Sequence, residues 1–233
     1  MKIYAIVPAR AGSKRIIGKN VKEILGKPII VHLISKLIES NIFDGIYIST
    51  DSSQIAELAA KNGAQAPFLR APEISDDFTG THEVILDCIN RILVPFDEND
   101  IYICIYPTSI LLELSDIKKA IEICESHPES YVFSAHQPNS SPFRAFSKGP
   151  SGNLKYLFPE YMHLRSQDLP KGYVDSGQFY LGTRRTWINQ PEILNPQSRI
   201  LEIPSSRALD LNTEDDWTVL EAIMGSKQAN KLR

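Results

Sequence analysis

Four cations and two glycines are concentrated in one short segment near the start of the chain. This segment, residues 9–20, directly follows a continuous apolar run over residues 3–7. Glycine lets backbone N–H groups approach a phosphate, and arginine and lysine side chains offset the phosphate charge. The segment therefore predicts a phosphate-binding loop, with a triphosphate as its natural ligand. The cations are Arg10, Lys14, Arg15 and Lys19, and the glycines are Gly12 and Gly18.

The loop differs from two well-known phosphate motifs. A Walker A loop requires G-x-x-x-x-G-K-[ST], whereas five residues separate Gly12 from Gly18 here, and Asn20 stands where Ser or Thr is required. The dinucleotide pattern G-x-G-x-x-G is absent from the sequence. On residue types alone, the alternative is a solvated basic loop without a ligand.

Apolar periodicity predicts an α/β chain around this loop. Continuous apolar runs are typical of buried strands, and apolar residues at helical spacing indicate helices. Their alternation predicts a mostly parallel, doubly wound, Rossmann-like sheet, whose ligands bind outside the carboxyl ends of the strands. The predicted strands are 3–7, 45–49, 101–106, 131–135 and 200–203; the predicted helices cover 30–38, 55–59, 85–92 and 117–124 and a segment beginning near Thr213, its predicted N-cap.

The alternation stops near residue 138. Residues 139–185 are rich in Pro, Gly, Ser and aromatic residues, and residues 147–153 are typical of a hairpin tip. We interpret 139–185 as a small β-rich excursion within a single domain, residues 1–233. Such an excursion is suited to forming a dimer interface and a substrate lid.

Composition narrows the class of protein. The chain has 233 residues, of which 42% are hydrophobic and 23% charged, which fits one folded domain. The formal net charge of -3 gives no overall attraction to nucleic acid or to an anionic membrane. Three cysteines lie in apolar stretches without metal-ligand spacing, which predicts buried thiols in a reducing compartment. The first apolar run is too short for a signal peptide or a membrane span, so we expect a cytoplasmic protein.

Several short motifs, taken in their order along the chain, resemble those of the CMP-sugar synthetases. The Arg165–Leu169 and Asp175–Tyr180 segments are most similar to the pseudaminic acid branch, in which R-S-Q-D-L precedes D-[AS]-G-Q-F-Y. Tyr106 stands where the sialic acid branch tends to have glutamine, and Ile110–Leu112 stand where that branch often has Pro-Leu-Arg. The motifs that carry the resemblance are residues 8–15, 19–20, 26–28, 49–51, 69–77, 79–81, 106–109, 165–169, 175–180 and 210–217.

The resemblance implies a nucleotidyltransferase that joins CTP to a nine-carbon acidic sugar and releases pyrophosphate. Pseudaminic acid is the expected sugar, and N-acetylneuraminic or legionaminic acid is the alternative. The family also implies Mg²⁺ as cofactor, a homodimer in which the excursion reaches the partner's active site, and flagellin or surface polysaccharide glycosylation in a bacterium. The nucleophile is the sugar's anomeric hydroxyl, so a protein nucleophile is not required.

The resemblance assigns nucleotide binding to residues from three segments. Arg10 and Lys14 are expected to contact the phosphates and act as catalytic cations, because attack at the α-phosphate builds negative charge. Lys19 is expected to help shape the loop. For Arg70 the alternative is a surface ion pair, and for Thr81 it is a helix cap. The full predicted set is Ala9, Arg10, Gly12, Ser13, Lys14, Asn20, Arg70 and Thr81.

The resemblance places the metal site at Asp210 and Asn212, where the family pattern is D-x-D. Alternation along an extended segment puts both side chains on one face. Mg²⁺ needs only one or two carboxylates plus substrate phosphates, so Asp210 is the expected catalytic ligand. Asn212 either ligates weakly through its carbonyl oxygen or caps the following helix.

The resemblance assigns sugar recognition to five residues, Tyr106, Arg144, Arg165, Gln178 and Tyr180. A guanidinium fork matches a carboxylate bidentately, which suits the two arginines to an acidic sugar. Gln178 and Tyr180 offer hydrogen bonds to hydroxyl or N-acyl groups, and packing within the excursion is the alternative for Tyr180.

Two other functions compete with the cytidylyltransferase. A glycosyltransferase would also need an α/β nucleotide fold and a D-x-D-like metal site, but the basic triphosphate loop is superfluous for a donor that is already activated. A non-catalytic nucleotide-binding protein is suggested by Asn212 in the metal motif, and would bind CTP without turnover.

Overall fold

The computed structural model describes residues 1–92, 95 and 97–231, which alternate between strands and helices. The strands are β1 (Ile3–Pro8), β2 (Glu23–Ile24), β3 (Lys27–Pro28), β4 (Gly45–Ser49), β5 (Ile101–Ile105), β6 (Val132–His136), β7 (Phe146–Lys148), β8 (Leu154–Tyr156), β9 (Val174–Thr183) and β10 (Arg199–Glu202). The helices are α1 (Ile29–Glu39), α2 (Ser53–Lys61), α3 (Thr81–Arg91), α4 (Leu114–Ser126), α5 (Arg184–Asn189) and α6 (Glu214–Lys231). In the part of the chain that is described, no helix is long and apolar enough to span a membrane.

A six-stranded sheet forms the centre, with strand order β10-β6-β9-β5-β1-β4. β1 pairs in parallel with β4 and β5, and β10 pairs in parallel with β6. β9 runs antiparallel to both of its neighbours, β5 and β6. The prediction of a mostly parallel sheet is therefore confirmed.

Helices cover both faces of this sheet because successive strand residues point to opposite sides. In β1, Ala5 and Val7 belong to a core that includes buried residues of α1, α4 and α6. Tyr4 and Ile6 belong to a second core, which Ile85 of α3 completes together with residues of α5. The doubly wound arrangement is confirmed.

The last helix begins where the sequence predicts. The Asp216 N–H donates to Thr213 Oγ1 at 3.2 Å, and the Thr213 N–H donates to Asp216 Oδ2 at 2.7 Å. This reciprocal pair satisfies N–H groups that lack a partner within the helix. It also anchors the chain directly after Asp210 and Asn212.

The predicted excursion, 139–185, is too long at its C-terminal end. Residues 174–183 form β9, the antiparallel strand in the middle of the main sheet. The polar start of this strand, Asp175–Gln178, hides its apolar pattern, so the sequence reading missed it. The excursion proper therefore ends at residue 173. It contains the β7–β8 hairpin, whose connection over 149–153 confirms the predicted tip.

Candidate active site

The basic loop leaves β1 at the carboxyl edge of the sheet and is tied to the end of β4. The Ala9 N–H donates to the Ser49 carbonyl at 2.8 Å, and the Ala11 N–H donates to Asp51 Oδ1 at 2.8 Å. Gly18 has a φ of 61°, a left-handed conformation that glycine adopts without a steric penalty. Its carbonyl accepts the Val21 N–H at 2.8 Å, which closes the loop into a turn.

A cavity of about 440 Å³ opens above this loop. Of the predicted nucleotide residues, Ala9 has its side chain buried in the core and Gly12 lies exposed on the loop. Ala9 therefore acts through its backbone position, while the rest of the predicted set forms the cavity wall. The lining includes Arg10, Ser13, Lys14, Asn20, Arg70 and Thr81 from that set, together with Arg15, Lys19, Tyr106 and Thr108.

Arg70 is a buried cation in the wall of this cavity, with 5% of its surface exposed. Its Nε donates to Ser75 Oγ at 3.1 Å. Burial lowers the pKa of the Arg70 guanidinium, and the nearby Asp51 carboxylate opposes that shift. The alternative of a surface ion pair is wrong, because the side chain is enclosed and faces the cavity.

Thr81 contributes to the cavity through its hydroxyl. Gly80 is the N-cap residue of α3, so the helix-cap alternative for Thr81 is wrong. Thr81 Oγ1 and Tyr106 Oη lie 2.5 Å apart and share a hydrogen bond. Burial raises the pKa of Tyr106, which keeps its phenol neutral at physiological pH.

Asp77 pairs with both of the cations predicted to hold phosphates. Its carboxylate lies 2.6 Å from Arg10 Nη1 and 2.5 Å from Lys14 Nζ. Lys14 first, and then Arg10, lower the pKa of Asp77 through these hydrogen bonds. One carboxylate therefore occupies the position at which the sequence predicts phosphate oxygens.

A second cavity, of about 340 Å³, adjoins the first. Both cavities are lined by Arg15, Lys19, Tyr106 and Thr108, so these residues form a shared wall. The remaining lining of the second cavity is Asp175, Gly177, Tyr180 and Asp210.

Lys19 connects the basic loop to the segment that carries Asp210. Its ammonium group donates to the Leu211 carbonyl at 2.9 Å. Burial lowers the pKa of Lys19, and the Asp210 carboxylate opposes this effect. Lys19 is thus a half-buried cation between the two cavities as well as a residue that shapes the loop.

Asp210 and Asn212 lie beside one another, as the alternation predicts. Asn212 Nδ2 donates to Asp210 Oδ2 at 2.6 Å, and the Asn212 N–H donates to Asp216 Oδ2 at 2.9 Å. Within the described residues, no group of three or more His, Cys, Asp and Glu side chains could hold a metal. Asp210, a carboxylate on a cavity wall, still fits Mg²⁺, which often takes few protein ligands and completes its shell with water and phosphate.

Gln178 is placed differently from the prediction. Only 2% of its surface is exposed, and its Nε2 donates to the Arg207 carbonyl. The Arg207 side chain in turn forms an ion pair with Asp116 of α4. Gln178 therefore joins β9 to the segment before α6, in place of the predicted sugar contact.

Tyr180 lines the second cavity, whereas Arg144 and Arg165 lie on the excursion outside both cavities. Arg144 Nη1 donates to the Met162 carbonyl at 3.1 Å. Arg165 Nε contacts Asp168 Oδ2 at 2.6 Å, with 73% of the Arg165 side chain exposed. Within this chain the structure does not bring the two arginines to the site.

The sequence reading missed Asp175 and Asp77 as site residues. Both lie inside quoted motifs, 175–180 and 69–77, so an acidic residue at a strand end or beside a predicted phosphate loop was the available signal. Thr108 was missed in the same way, although it directly follows the end of β5.

Comparisons with known proteins agree with this geometry. The family model "Cytidylyltransferase" matches residues 4–148. The pseudaminic acid cytidylyltransferase of Campylobacter jejuni (strain 81-176) is 37% identical over 93% of this chain and 93% of its own length. The CMP-N,N'-diacetyllegionaminic acid synthase of Legionella pneumophila is 31% identical over 98% of both chains. The N-acylneuraminate cytidylyltransferase of Streptococcus agalactiae is 28% identical over 93% of this chain and 52% of its own length.

Two solved structures share the fold. CMP:2-keto-3-deoxy-manno-octonic acid synthetase complexed with CTP superposes with a TM-score of 0.74 at 15% identity, over 97% of this chain and all of the other. The 4-diphosphocytidyl-2C-methyl-D-erythritol synthase superposes with a TM-score of 0.66 at 13% identity, over 96% of this chain and 99% of the other. At these identities the likeness establishes the α/β nucleotidyltransferase fold.

Proposed function

The chain belongs to the cytidylyltransferase family, and from that premise we propose that it transfers CMP from CTP to pseudaminic acid and releases pyrophosphate. The observation that carries the proposal is the pair of adjoining cavities with a shared wall. One cavity is lined by five cations and the other by Asp175, Tyr180 and Asp210. A triphosphate in the first and a sugar acid in the second would meet at that wall.

The cations of the first cavity suit the charge that develops during the transfer. The anomeric hydroxyl oxygen attacks the α-phosphorus and loses its proton, while the bond between the α-phosphorus and the bridging oxygen breaks. Negative charge then grows on the phosphoryl oxygens and on the leaving pyrophosphate. Fixed cations lower the energy of that state because they need little reorganisation. Arg10 and Lys14 serve the departing phosphates, and Arg15 and Lys19 lie at the wall where the sugar arrives.

Asp210 is the residue that would hold Mg²⁺. The bound ion would neutralise triphosphate charge and help to align the α-phosphate. Asn212 supports this role by donating to one Asp210 oxygen, which fixes the orientation of the carboxylate. Tyr106, hydrogen-bonded to Thr81, gives the shared wall a rigid, neutral surface between nucleotide and sugar.

The proposed assembly is a homodimer in which the excursion of one subunit completes the sugar cavity of the other. Arg144 and Arg165 have no place in their own cavities, yet an acidic sugar calls for such cations. The excursion also exposes apolar side chains that an interface would bury: Phe146 is 61% exposed, Leu154 49% and Leu157 54%. We place the reaction in the cytoplasm, where CTP is available, and bacterial flagellin or surface polysaccharide is the proposed destination of the product.

The test is pyrophosphate release from CTP and Mg²⁺ with pseudaminic, legionaminic, N-acetylneuraminic and 2-keto-3-deoxy-manno-octonic acids in parallel. We expect the highest kcat/KM with pseudaminic acid. Lys14→Ala serves as the impaired control, and Lys118→Ala, an exposed lysine of α4, as the matched neutral one. Preference for another acid would keep the reaction and overturn the sugar assignment. CTP binding without release from any acid would favour the non-catalytic alternative, and sugar transfer to an acceptor would favour a glycosyltransferase.

A further inference from the structure

Asp175 lies in the sugar half of the site and has no role in the chemistry described above. It occupies the polar start of β9, opposite Ala135 of β6 in the register of the sheet. Its neighbours around the second cavity are Tyr180 and Asp210 together with the cations Arg15 and Lys19. A carboxylate at this position needs an explanation, because the incoming sugar acid is itself negatively charged.

The Asp175 carboxylate is held rigidly by two protein donors. The Gly177 N–H donates to Asp175 Oδ1 at 2.9 Å, and a φ of 58° at Gly177 accompanies this tight turn. The Tyr180 hydroxyl donates to Asp175 Oδ2. Burial, and then this hydrogen bond, raise the pKa of Tyr180, so the phenol keeps the proton that it donates.

These two bonds leave the carboxylate with capacity for a ligand. An ionised carboxylate accepts about four hydrogen bonds and donates none. Fixed geometry and unused acceptor positions are what a recognition group needs, because little conformational entropy is lost when the ligand binds.

The charges around the cavity decide which part of the sugar Asp175 meets. The sugar's own carboxylate is attracted to Arg15 and Lys19 and repelled by Asp175. Asp210 is taken up by the proposed metal site and by the hydrogen bond from Asn212. What is left for Asp175 is a hydrogen-bond donor on the sugar, either a hydroxyl or the N–H of an acylamido group.

We propose that Asp175 is a specificity-determining residue, whose carboxylate accepts a hydrogen bond from a hydroxyl or amide N–H of the sugar acid. The inference rests on the proposed function and deepens it. A buried acceptor discriminates strongly, since a ligand that lacks the matching donor leaves the acceptor unpaired.

The experiment compares Asp175→Asn and Asp175→Ala with the wild-type enzyme. The sugar KM and kcat are measured at saturating CTP, and the CTP dissociation constant is measured by calorimetry without sugar. We expect the sugar KM to rise about ten- to a hundredfold in both variants, since hydrogen bonds to charged groups are among the stronger ones. CTP affinity is expected to stay within about twofold of wild type.

Two further variants separate recognition from folding. Ser176→Ala is the matched control, because Ser176 is buried beside Asp175 and its Oγ pairs with His136 Nδ1 at 3.1 Å, away from the cavity. Its sugar KM should equal that of wild type. Tyr180→Phe removes one donor that orients Asp175 and should raise the sugar KM by a smaller factor than Asp175→Ala does.

The sugar arms identify the donor. If the loss in Asp175→Asn is confined to acids with an acylamido group, the partner is an amide N–H; an equal loss with 2-keto-3-deoxy-manno-octonic acid identifies a hydroxyl. An unchanged sugar KM in both Asp175 variants, with wild type active, overturns this inference and leaves the proposed function standing. A wild-type protein that binds CTP but neither binds nor converts any sugar acid overturns both.

Discussion

The nucleotide cavity and the excursion treat their arginines in opposite ways. Arg10 and Arg70 line the nucleotide cavity, where the ends of β1 and β4 and the loop before α3 converge. Arg144 and Arg165 of the excursion instead bond to main-chain carbonyls and to Asp168 within the excursion itself. Both regions have the cations that their predicted ligands require, but only the first has them in place within one chain.

This difference teaches that the two substrates are recognised at different levels of assembly. The nucleotide half is built on the edge of a buried sheet, so folding of a single chain positions it. The excursion stands away from that sheet and exposes Phe146, Leu154 and Leu157. Under the proposed function, CTP binding belongs to the subunit and recognition of the sugar acid to the dimer.

The largest expected effect comes from the residue between the two halves. Asp210→Ala should lower kcat by about a hundred- to a thousandfold, the cost typical of removing one group that stabilises developing charge. Activity should also lose its dependence on added Mg²⁺. Steady-state kinetics over a Mg²⁺ titration would measure both. Asn212→Ala is the control with a smaller expected loss, and an equal loss in the two variants would make Asn212 a full ligand.

The next effect tests whether the excursion works across a subunit boundary. Arg165→Ala should raise the sugar KM about tenfold or more, because a charge-assisted hydrogen bond is lost, without changing CTP affinity. A mixture of Arg165→Ala and Lys14→Ala subunits should regain about a quarter of wild-type activity, since one site of each mixed dimer is intact.

Subunit exchange followed by a pyrophosphate assay measures this recovery. Absence of recovery from exchanged dimers would mean that Arg165 serves its own subunit or has a structural role. A monomer by light scattering at assay concentration would contradict the proposed assembly directly.

The smallest effect sharpens the nucleotide side. Asp77 pairs with Arg10 and Lys14, so CTP phosphates must compete with its carboxylate for the two cations. Asp77→Asn should therefore tighten CTP binding, by about threefold, since exposed ion pairs contribute up to about 1 kcal/mol. Calorimetry at low and moderate salt measures the change, and Asp76→Asn on the same loop is the control. Weaker CTP binding in Asp77→Asn would show that Asp77 assists the nucleotide.

Much of the fold and of the nucleotide cavity could be predicted because the signals are local. Apolar runs marked the parallel strands, and Thr213 marked the start of α6. The predicted cations of residues 9–20 line the cavity because a loop that follows a buried strand must emerge at its carboxyl end. Gln178 was misread for the opposite reason: its partner, the Arg207 carbonyl, lies in a distant segment of the chain.

The amino-acid sequence by itself determined the alternation of strands and helices, the basic loop and the alternation of Asp210 with Asn212. These features depend on residue type and on spacing of a few residues, which backbone geometry converts directly into structure. Only the tertiary structure decided that β9 lies between β5 and β6, that Asp175 meets Asp210 at one cavity, and that Asp77 reaches Arg10 and Lys14. Those contacts join segments far apart in the chain, so sheet register and packing select them, and residue spacing carries no record of either.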